Sequence, residues 1–534
     1  MKATTSLLGT LLLSASVASL AFSTQQAEAR TLQMGLGGEL ASFDTSQVSG
    51  GVWEAQVLMD VFEGLIKKDP KGNLLPGMAT DWVVSKDGKT WTFRIRSNAK
   101  WSDGTPVTAD DFVFGWQHLL DPKNASKYAY MLYPVKNAKA INEGKQAPDT
   151  LGVKSLDDGN TFQVTLNEPV PYFEELMTHY TAYPLPKHTV EKYGKDWVKM
   201  SNIVTNGAFT PTSWVSQSSI KTVKNPDYYD ASQVALDGIV YNNIENLNAM
   251  VARYRGGQLD IAHANGFPVS QLKSLKRTMP EDTHTAPWLG NEYYVLNQRE
   301  GEPTADLRVR KALSLAIRRD ILAEKIAQGA FDATTAFVPP GIHGYQPQSN
   351  DELSKPYAER LKEAKALMKE AGYSPEHPLN LHLRFNSDDW NRSNAVAISS
   401  MWQPLGVKTE LDNAEATVHY QSIARGDFDV ARAGWVADYN DPQNFLSLME
   451  TGVGNNYGAY SNSQYDKLMQ QAAATMDPGK RYQVLEQAEK LAMDDYAVIP
   501  LLTQVSRNLV NPHIKGWEDN ISDDHPSRWI SFDK

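Results

Sequence analysis

The chain of 534 residues contains no cysteine. That absence excludes thiolate nucleophiles, cysteine-based metal centres, disulfide staples and an acyl-carrying lipoprotein cysteine. Positive charge is also scarce. With 52 basic against 63 acidic residues the formal net charge is −11, which argues against a general nucleic-acid binder, because such a protein needs a basic surface to displace counterions. No internal repeat, low-complexity tract or long flexible linker is visible. Enzyme signatures are missing too: there is no His-Glu-x-x-His, no Walker loop and no Gly-x-Ser-x-Gly. Gly35-Leu36-Gly37-Gly38-Glu39-Leu40 lacks the last glycine of a dinucleotide fingerprint, and Gly452-Val453-Gly454 reads as a turn.

What is present describes a large, turn-rich globular protein: 41% hydrophobic residues, 10% aromatics, 28 Pro and 35 Gly. The length exceeds one ordinary core, so two or three packed units are expected, with cores large enough to need no disulfides. The first 29 residues stand apart. Lys2 precedes an apolar stretch, Leu7 to Ala21, too short for a comfortable membrane span, and Ala27-Glu28-Ala29 follows a polar segment. This predicts a secretory leader cleaved after Ala29, a mature chain starting at Arg30, and a free exported protein. Without a lipid tether such a protein needs a closed compartment, which favours the periplasm.

Up to about Pro186 the pattern is mixed and strand-rich. Trp91, Phe93 and Ile95 alternate with polar residues, as do Phe162, Val164 and Leu166. Further strand signals lie between Val204 and Ile261, with a helical run from Leu247 to Arg255 stopped at Gly256-Gly257. From Asp306 onward helices and strands alternate: a helix capped by Asp306, another over 356–371, a strand at Leu379 to Phe385, a helix around Asn394 to Gln403, a strand at Val407 to Leu411, another helix and a strand from about Asp429. That order implies an α/β lobe whose ligand would bind outside the carboxyl ends of its strands. Most of the 13 Trp, including Trp91 and Trp116, are expected in cores. The acidic pairs Asp388-Asp389 and Asp523-Asp524 lack calcium-loop spacing and are expected to be solvated.

One stretch breaks its own pattern. In FDVARAGWVADYNDPQNF, residues 428–445, Arg432 and Asp438 interrupt an apolar strand. A buried ion pair is the plain reading, since buried charges are normally paired. Six residues of extended strand at about 3.3 Å each would, however, hold the two roughly 20 Å apart. The Asn440-Asp441-Pro442 turn would put Asp438 at a lobe edge, and Trp435 offers a flat wall. Two separated opposite charges, an open backbone and an aromatic suit an extended zwitterion such as a peptide.

WSDGTPVTADDF (101–112), LNEPVPYF (166–173), IVTNGAF (203–209), ADLRVRKALSLAIRRD (305–320) and GWVADYNDP (434–442) together resemble, in order and over essentially the whole mature chain, the periplasmic oligopeptide-binding proteins of bacterial ABC importers, extracellular solute-binding protein family 5. The resemblance implies an α/β, two-lobed periplasmic binding protein fold of type II with an additional third domain. It divides the chain into the leader, 1–29; lobe I, built from 30–63, 188–290 and 506–534; domain II, 64–187; and lobe III, 291–505. It implies capture of a short peptide between lobes, delivery to membrane-embedded importer subunits, a monomer, no catalysis, no cofactor and no metal. Asp438 matches the residue pairing with the peptide ammonium, Arg432 one at the carboxylate end, Trp435 a pocket wall, and Tyr128 an aromatic supplied by domain II. Gly434, Val52, Asn391 and Gln504 complete the implied ligand-binding positions.

The chain also departs from well-studied relatives. Gly290 and Val436 stand where those carry a cysteine pair, and Ser314, Asn391, Ala416 and Gln504 where they carry Lys, His, Trp and Tyr. With two cations lost, Arg432 is expected to be the main carboxylate partner and to favour one peptide length, three residues. Two alternatives stand beside this reading: a relative specialised for cell-wall (murein) peptides or another zwitterion, and a secreted hydrolase using paired carboxylates.

Overall fold

The computed structural model describes residues 31–533; the expected leader and its cleavage point lie outside the described residues. The architecture is α/β and two-lobed, with an added domain. One eleven-stranded sheet runs through both lobes. Its order begins with Val407–Ala414, Leu379–Asn386, Val430–Val436, Thr283–Leu296 and Val498–Val510, and continues through Ile261–Ala262, Thr31–Leu36, Gly238–Asn243, Ser219–Lys224 and Phe209–Val215, with Phe331–Ala333 branching from Val498–Val510.

The two longest strands, Thr283–Leu296 and Val498–Val510, are antiparallel partners along most of their length. Their ladder breaks between Pro287 and Asn291 and again between Glu292 and Tyr293. On one side of the break they meet the first lobe, where Ile261 pairs with Val510; on the other, Gly290 to Leu296 pair with Val436 back to Val430. Side chains beyond the break alternate between two cores, as the period-2 pleat requires. Tyr294 and Leu296 join the cluster containing Leu313, Ile398 and Trp402, while Tyr293 and Val295 join that containing Phe337, Phe445 and Leu485.

The added domain is a four-stranded antiparallel sheet in the order Ala79–Val84, Thr90–Ile95, Thr161–Thr165, Val153–Leu156. The helix Ala109–Leu120 crosses it, and Trp116 meets Phe162 edge-on at 5.0 Å. Trp91 and Trp116 are both buried, as the sequence predicts. The C-terminal segment closes the first lobe through charge. Asp60, on the helix Val52–Val61, accepts from the Ser527 amide, the Ser527 hydroxyl and the Tyr241 hydroxyl, each at 2.7 Å.

Helix ends follow the side chains that cap them. The Asp306 carboxylate accepts from the Arg308 amide at 2.8 Å and starts Leu307–Leu315. Leu247–Arg255 stops at Gly256 as expected. One helix begins earlier than its apolar pattern suggested: Asp388 caps Asp389–Trp402 by accepting from the Asn391 amide at 2.7 Å.

Candidate functional site

The strand Val430–Val436 carries the site. It pairs with Thr283–Leu296 throughout, but with Leu379–Asn386 only at Val430 and Ala431. The far edge from Arg432 to Val436 is therefore free of a neighbouring strand. Backbone groups alternate in direction along such a strand. His419 Nε2 donates to the Arg432 carbonyl at 2.9 Å on the outer side, and the Ala437 amide donates to the Leu289 carbonyl at 2.8 Å on the inner side. By that alternation Gly434 and Val436 direct their amides and carbonyls outward, into a cavity of about 520 Å³ that both residues line. A Cβ at Gly434 would come within 2.9 Å of the Arg432 guanidinium, so glycine keeps this edge open.

Asp438 lies just beyond the strand, as the turn signal predicted. Asp441 anchors that turn by accepting from both terminal nitrogens of buried Arg481, each at 2.7 Å. The Tyr130 hydroxyl donates to Asp438 at 2.9 Å, and among the described residues no cation forms an ion pair with it. Burial pushes its carboxyl up to about 6, partly offset by hydrogen bonds from Tyr130 and Asn444. Trp435, whose indole N–H donates to Asn444 at 2.7 Å, forms the adjacent wall.

The opposite wall comes from the first lobe and the added domain. Glu54 accepts the amides of Ser49, Gly50 and Gly51 at 2.8, 2.7 and 3.0 Å, which fixes the loop leading into Val52. Gly50 has φ +92°, and a Cβ there would overlap the Tyr128 hydroxyl, so this position needs glycine both for its backbone and for the approach of Tyr128. Val52 and Tyr128 both line the cavity, as does His179, whose imidazole burial pushes down to about 3 with help from Lys68.

At the other end the sequence expectation needs correction. Arg432 is half-buried and paired within the protein: Nε donates to Glu292 Oε2 at 2.8 Å and Nη2 to Oε1 at 2.5 Å, while Nη1 donates to Asn386 Oδ1 and the Tyr420 hydroxyl, both at 3.1 Å. Burial alone would push the guanidinium down; the Glu292 carboxylate overrides it and holds the charge in place. Arg432 is thus ion-paired with Glu292, and the plain reading of a pair between Arg432 and Asp438 does not hold. Gln504 donates to Glu292 at 3.4 Å, and Asn391 donates to the Asn386 carbonyl at 3.2 Å. Arg432, Asn391 and Gln504 form one cluster around Glu292 and Asn386, and none of them lines the cavity. Ser314 is buried and accepts from Arg319 at 3.0 Å, and Ala416 is exposed at the start of its helix.

Other positions also differ from expectation. Asp523 is not solvated: it is 8% exposed and bonded to His525 and Asn508, while Asp524 pairs with Lys68 at 2.9 Å. Gly290 and Val436 are direct register partners, and a Cβ at Gly290 would meet the Gln504 side chain at 2.9 Å. Tyr130 and Glu292 went unseen in the sequence. Tyr130 was within reach, two places after Tyr128; nothing local to Glu292 marks it as a partner of Arg432.

The protonation of Asp438 sets a pH dependence. A cationic ligand group needs the carboxylate, and at pH 5 a group titrating at about 6 is roughly one-tenth ionised. Affinity for a free-amino solute is expected to fall about tenfold from pH 7.5 to pH 5, measured by calorimetry, while an N-acetylated counterpart shows no such slope.

Residues 73–457 match the family described as bacterial extracellular solute-binding proteins, family 5. The chain is 39% identical to the periplasmic oligopeptide-binding protein OppA of Salmonella typhimurium over 496 residues, 92% of this chain and 90% of that one. The structure of the murein tripeptide binding protein MppA of Escherichia coli superposes with a TM-score of 0.82 at 36% identity, covering 95% of this chain and 99% of that one. OppA of Haemophilus influenzae in complex with RPPGFSPFR superposes with a TM-score of 0.80, again at 36% identity and with coverage of 95% and 99%.

Proposed function

The chain belongs to the bacterial extracellular solute-binding proteins of family 5, and from that premise we propose that it captures short peptides between its lobes in the periplasm and delivers them to a membrane-embedded ABC importer. One observation carries the peptide reading. A half-enclosed carboxylate without a cation partner, Asp438, sits at the end of a strand edge that lacks a neighbour. An extended peptide supplies both missing parts: an ammonium for Asp438 and a backbone that adds as a strand to Gly434 and Val436, the sequence-tolerant mode of strand addition. Trp435, Tyr128 and Val52 would then bound its side chains.

The proposed closing units are lobe I (30–63, 188–290, 506–534) and lobe III (291–505), with domain II (64–187) riding on the first. The ladder breaks of the two long strands fall at that boundary and are suited to bending. A ligand drives closure only by binding the closed form better, and the Tyr130 to Asp438 bond supports a contact of domain II with lobe III in that form. With Arg432 compensated by Glu292 and Ser314 buried, a three-residue preference set by Arg432 loses its physical basis, and among the described residues Lys68 is the one Lys or Arg lining the cavity. The protein acts as a monomer without chemistry of its own. No helix among the described residues is long and apolar enough to cross a membrane.

Native mass spectrometry of the leaderless protein after mild purification is expected to show bound peptides that are lost on unfolding and refolding. Their masses also separate cell-wall peptides from ordinary ones. A protein that carries no such mass, and that gives no heat with a mixed pool of di- to pentapeptides, would not be a peptide receptor.

A further inference from the structure

We propose that His263, Asp523 and His525 form a binding site for a divalent transition-metal ion, of which Zn²⁺ is the type. Nothing in the sequence pointed to a metal, because these residues come from two distant segments. His263 follows the strand Ile261–Ala262, and the other two lie in the C-terminal stretch folded back over the first lobe. One donor atom from each lies within 4.8 Å of the other two. His525 Nε2 is 3.0 Å from Asp523 Oδ1, and His263 Nδ1 is 4.0 Å from Asp523 Oδ2. Metal–ligand bonds of about 2.0–2.2 Å at a tetrahedral zinc separate neighbouring donors by roughly 3.3 Å, so small side-chain shifts suffice to close the triangle.

The surroundings hold these side chains in place. His263, Asp523 and His525 are 2%, 8% and 4% exposed. Trp517 stacks on His525 with centroids 3.5 Å apart and planes 14° from parallel, and meets His263 edge-on at 5.7 Å. Asn508 borders the cluster: its amide nitrogen donates to Asp523 Oδ1 at 2.8 Å, and its oxygen accepts from His263 Nδ1 at 3.0 Å, a bond that coordination through Nδ1 replaces with release of the proton. The Asn508 bond to Asp523 orients that carboxylate, as outer partners of metal ligands do. Among the described residues no Lys or Arg is within ion-pair distance of Asp523. Asp523 is enclosed by two imidazoles and an amide, and the buried Arg507 acts on it only from beyond ion-pair distance, so no direct ion pair with Lys or Arg occupies the carboxylate.

The donor set names the ion class. Two imidazoles and one carboxylate suit Zn²⁺, Ni²⁺ or Cu²⁺ and not the oxygen-seeking Ca²⁺ or Mg²⁺. Three protein ligands leave a fourth position. His263 and Asp523 both line the main cavity, so that position faces the cleft and is filled by water or by a donor atom of the bound solute.

The test uses the leaderless, untagged protein stripped with chelator. Calorimetric titration with Zn²⁺ is expected to show one saturable equivalent, Co²⁺ to give the visible spectrum of a low-coordinate site, and Ca²⁺ and Mg²⁺ to be silent. His263→Gln and His525→Gln are each expected to weaken Zn²⁺ at least tenfold, with circular dichroism reporting their folding, and Asp438→Asn to leave it unchanged, which separates this site from peptide capture. Absence of a saturable equivalent in the wild-type protein overturns the proposal without recourse to any variant. So does an affinity unaltered in both folded histidine variants, which would mean that the cluster is only a hydrogen-bonded network.

Discussion

Asp438→Asn is expected to lower the affinity for free-amino peptides by about three orders of magnitude while leaving the fold intact. The carboxylate is buried enough to be pushed up to about 6, and the protein gives it a phenol and an amide but no cation. A peptide ammonium would supply the charge-assisted partner that burial makes valuable. Removing one member of a buried charge pair costs about 3–5 kcal/mol, because the other is left unpaired, and each 1.4 kcal/mol is tenfold in affinity.

The ligand-free protein should respond in the opposite sense. A carboxyl whose pKa is raised on folding takes up protons preferentially in the native state, so its contribution to stability is lost as pH rises from about 4 through about 6. The Asn variant lacks that loss. At pH 7.5 its melting temperature without ligand is expected to equal or exceed that of wild type. Calorimetry with one peptide and its N-acetylated form, beside melting curves, decides between roles. Wild type that binds both forms equally would not be reading an ammonium at Asp438. A variant that melts early but keeps its affinity would show a structural carboxylate.

Much of the architecture was legible because its signals are local. Period-2 alternation marked Thr90–Ile95 and Thr161–Thr165, and Asp306 and Gly256 marked helix ends, the first capped by its carboxylate and the second closed by its backbone amide. The Asn440-Asp441-Pro442 turn placed Asp438 beyond the strand, although its anchoring by Arg481 could not be read. What failed depended on partners far along the chain. Glu292 lies 140 residues from Arg432 and reaches it through antiparallel register, which places Glu292 opposite Gly434. Ser314 read only as the loss of a cation, whereas it is buried and accepts from Arg319. Asp523 read as surface because a doublet of acids usually is, yet the C-terminal segment folds it under Trp517, Asn508 and two histidines. Sequence spacing measures separation along one element, whereas the charge state of a site is set by what the sheet and the returning chain bring across to it.

That distinction predicts the behaviour of Arg432. Arg432→Met leaves Glu292 9% exposed at its side chain and without its guanidinium, and is expected to destabilise the second lobe by about 3–5 kcal/mol. For a unit of about 200 residues this corresponds to a fall in melting temperature of roughly 6–20 °C. Replacing both partners, Arg432→Met with Glu292→Met, removes the orphaned charge, and exchange of a buried pair for apolar side chains of similar size is often neutral or stabilising. The double variant is therefore expected to recover most of the loss, in melting curves recorded without ligand. Peptide affinity in the folded single variant should change by less than tenfold, because the guanidinium is spent on Glu292, Asn386 and Tyr420 and does not line the cavity. The role inferred from the sequence demands the reverse: normal melting, affinity lowered a hundredfold or more, and no rescue by Glu292→Met. Closure could join the two accounts only if a ligand carboxylate displaced Glu292, and that displacement would strand a second buried carboxylate beside the first.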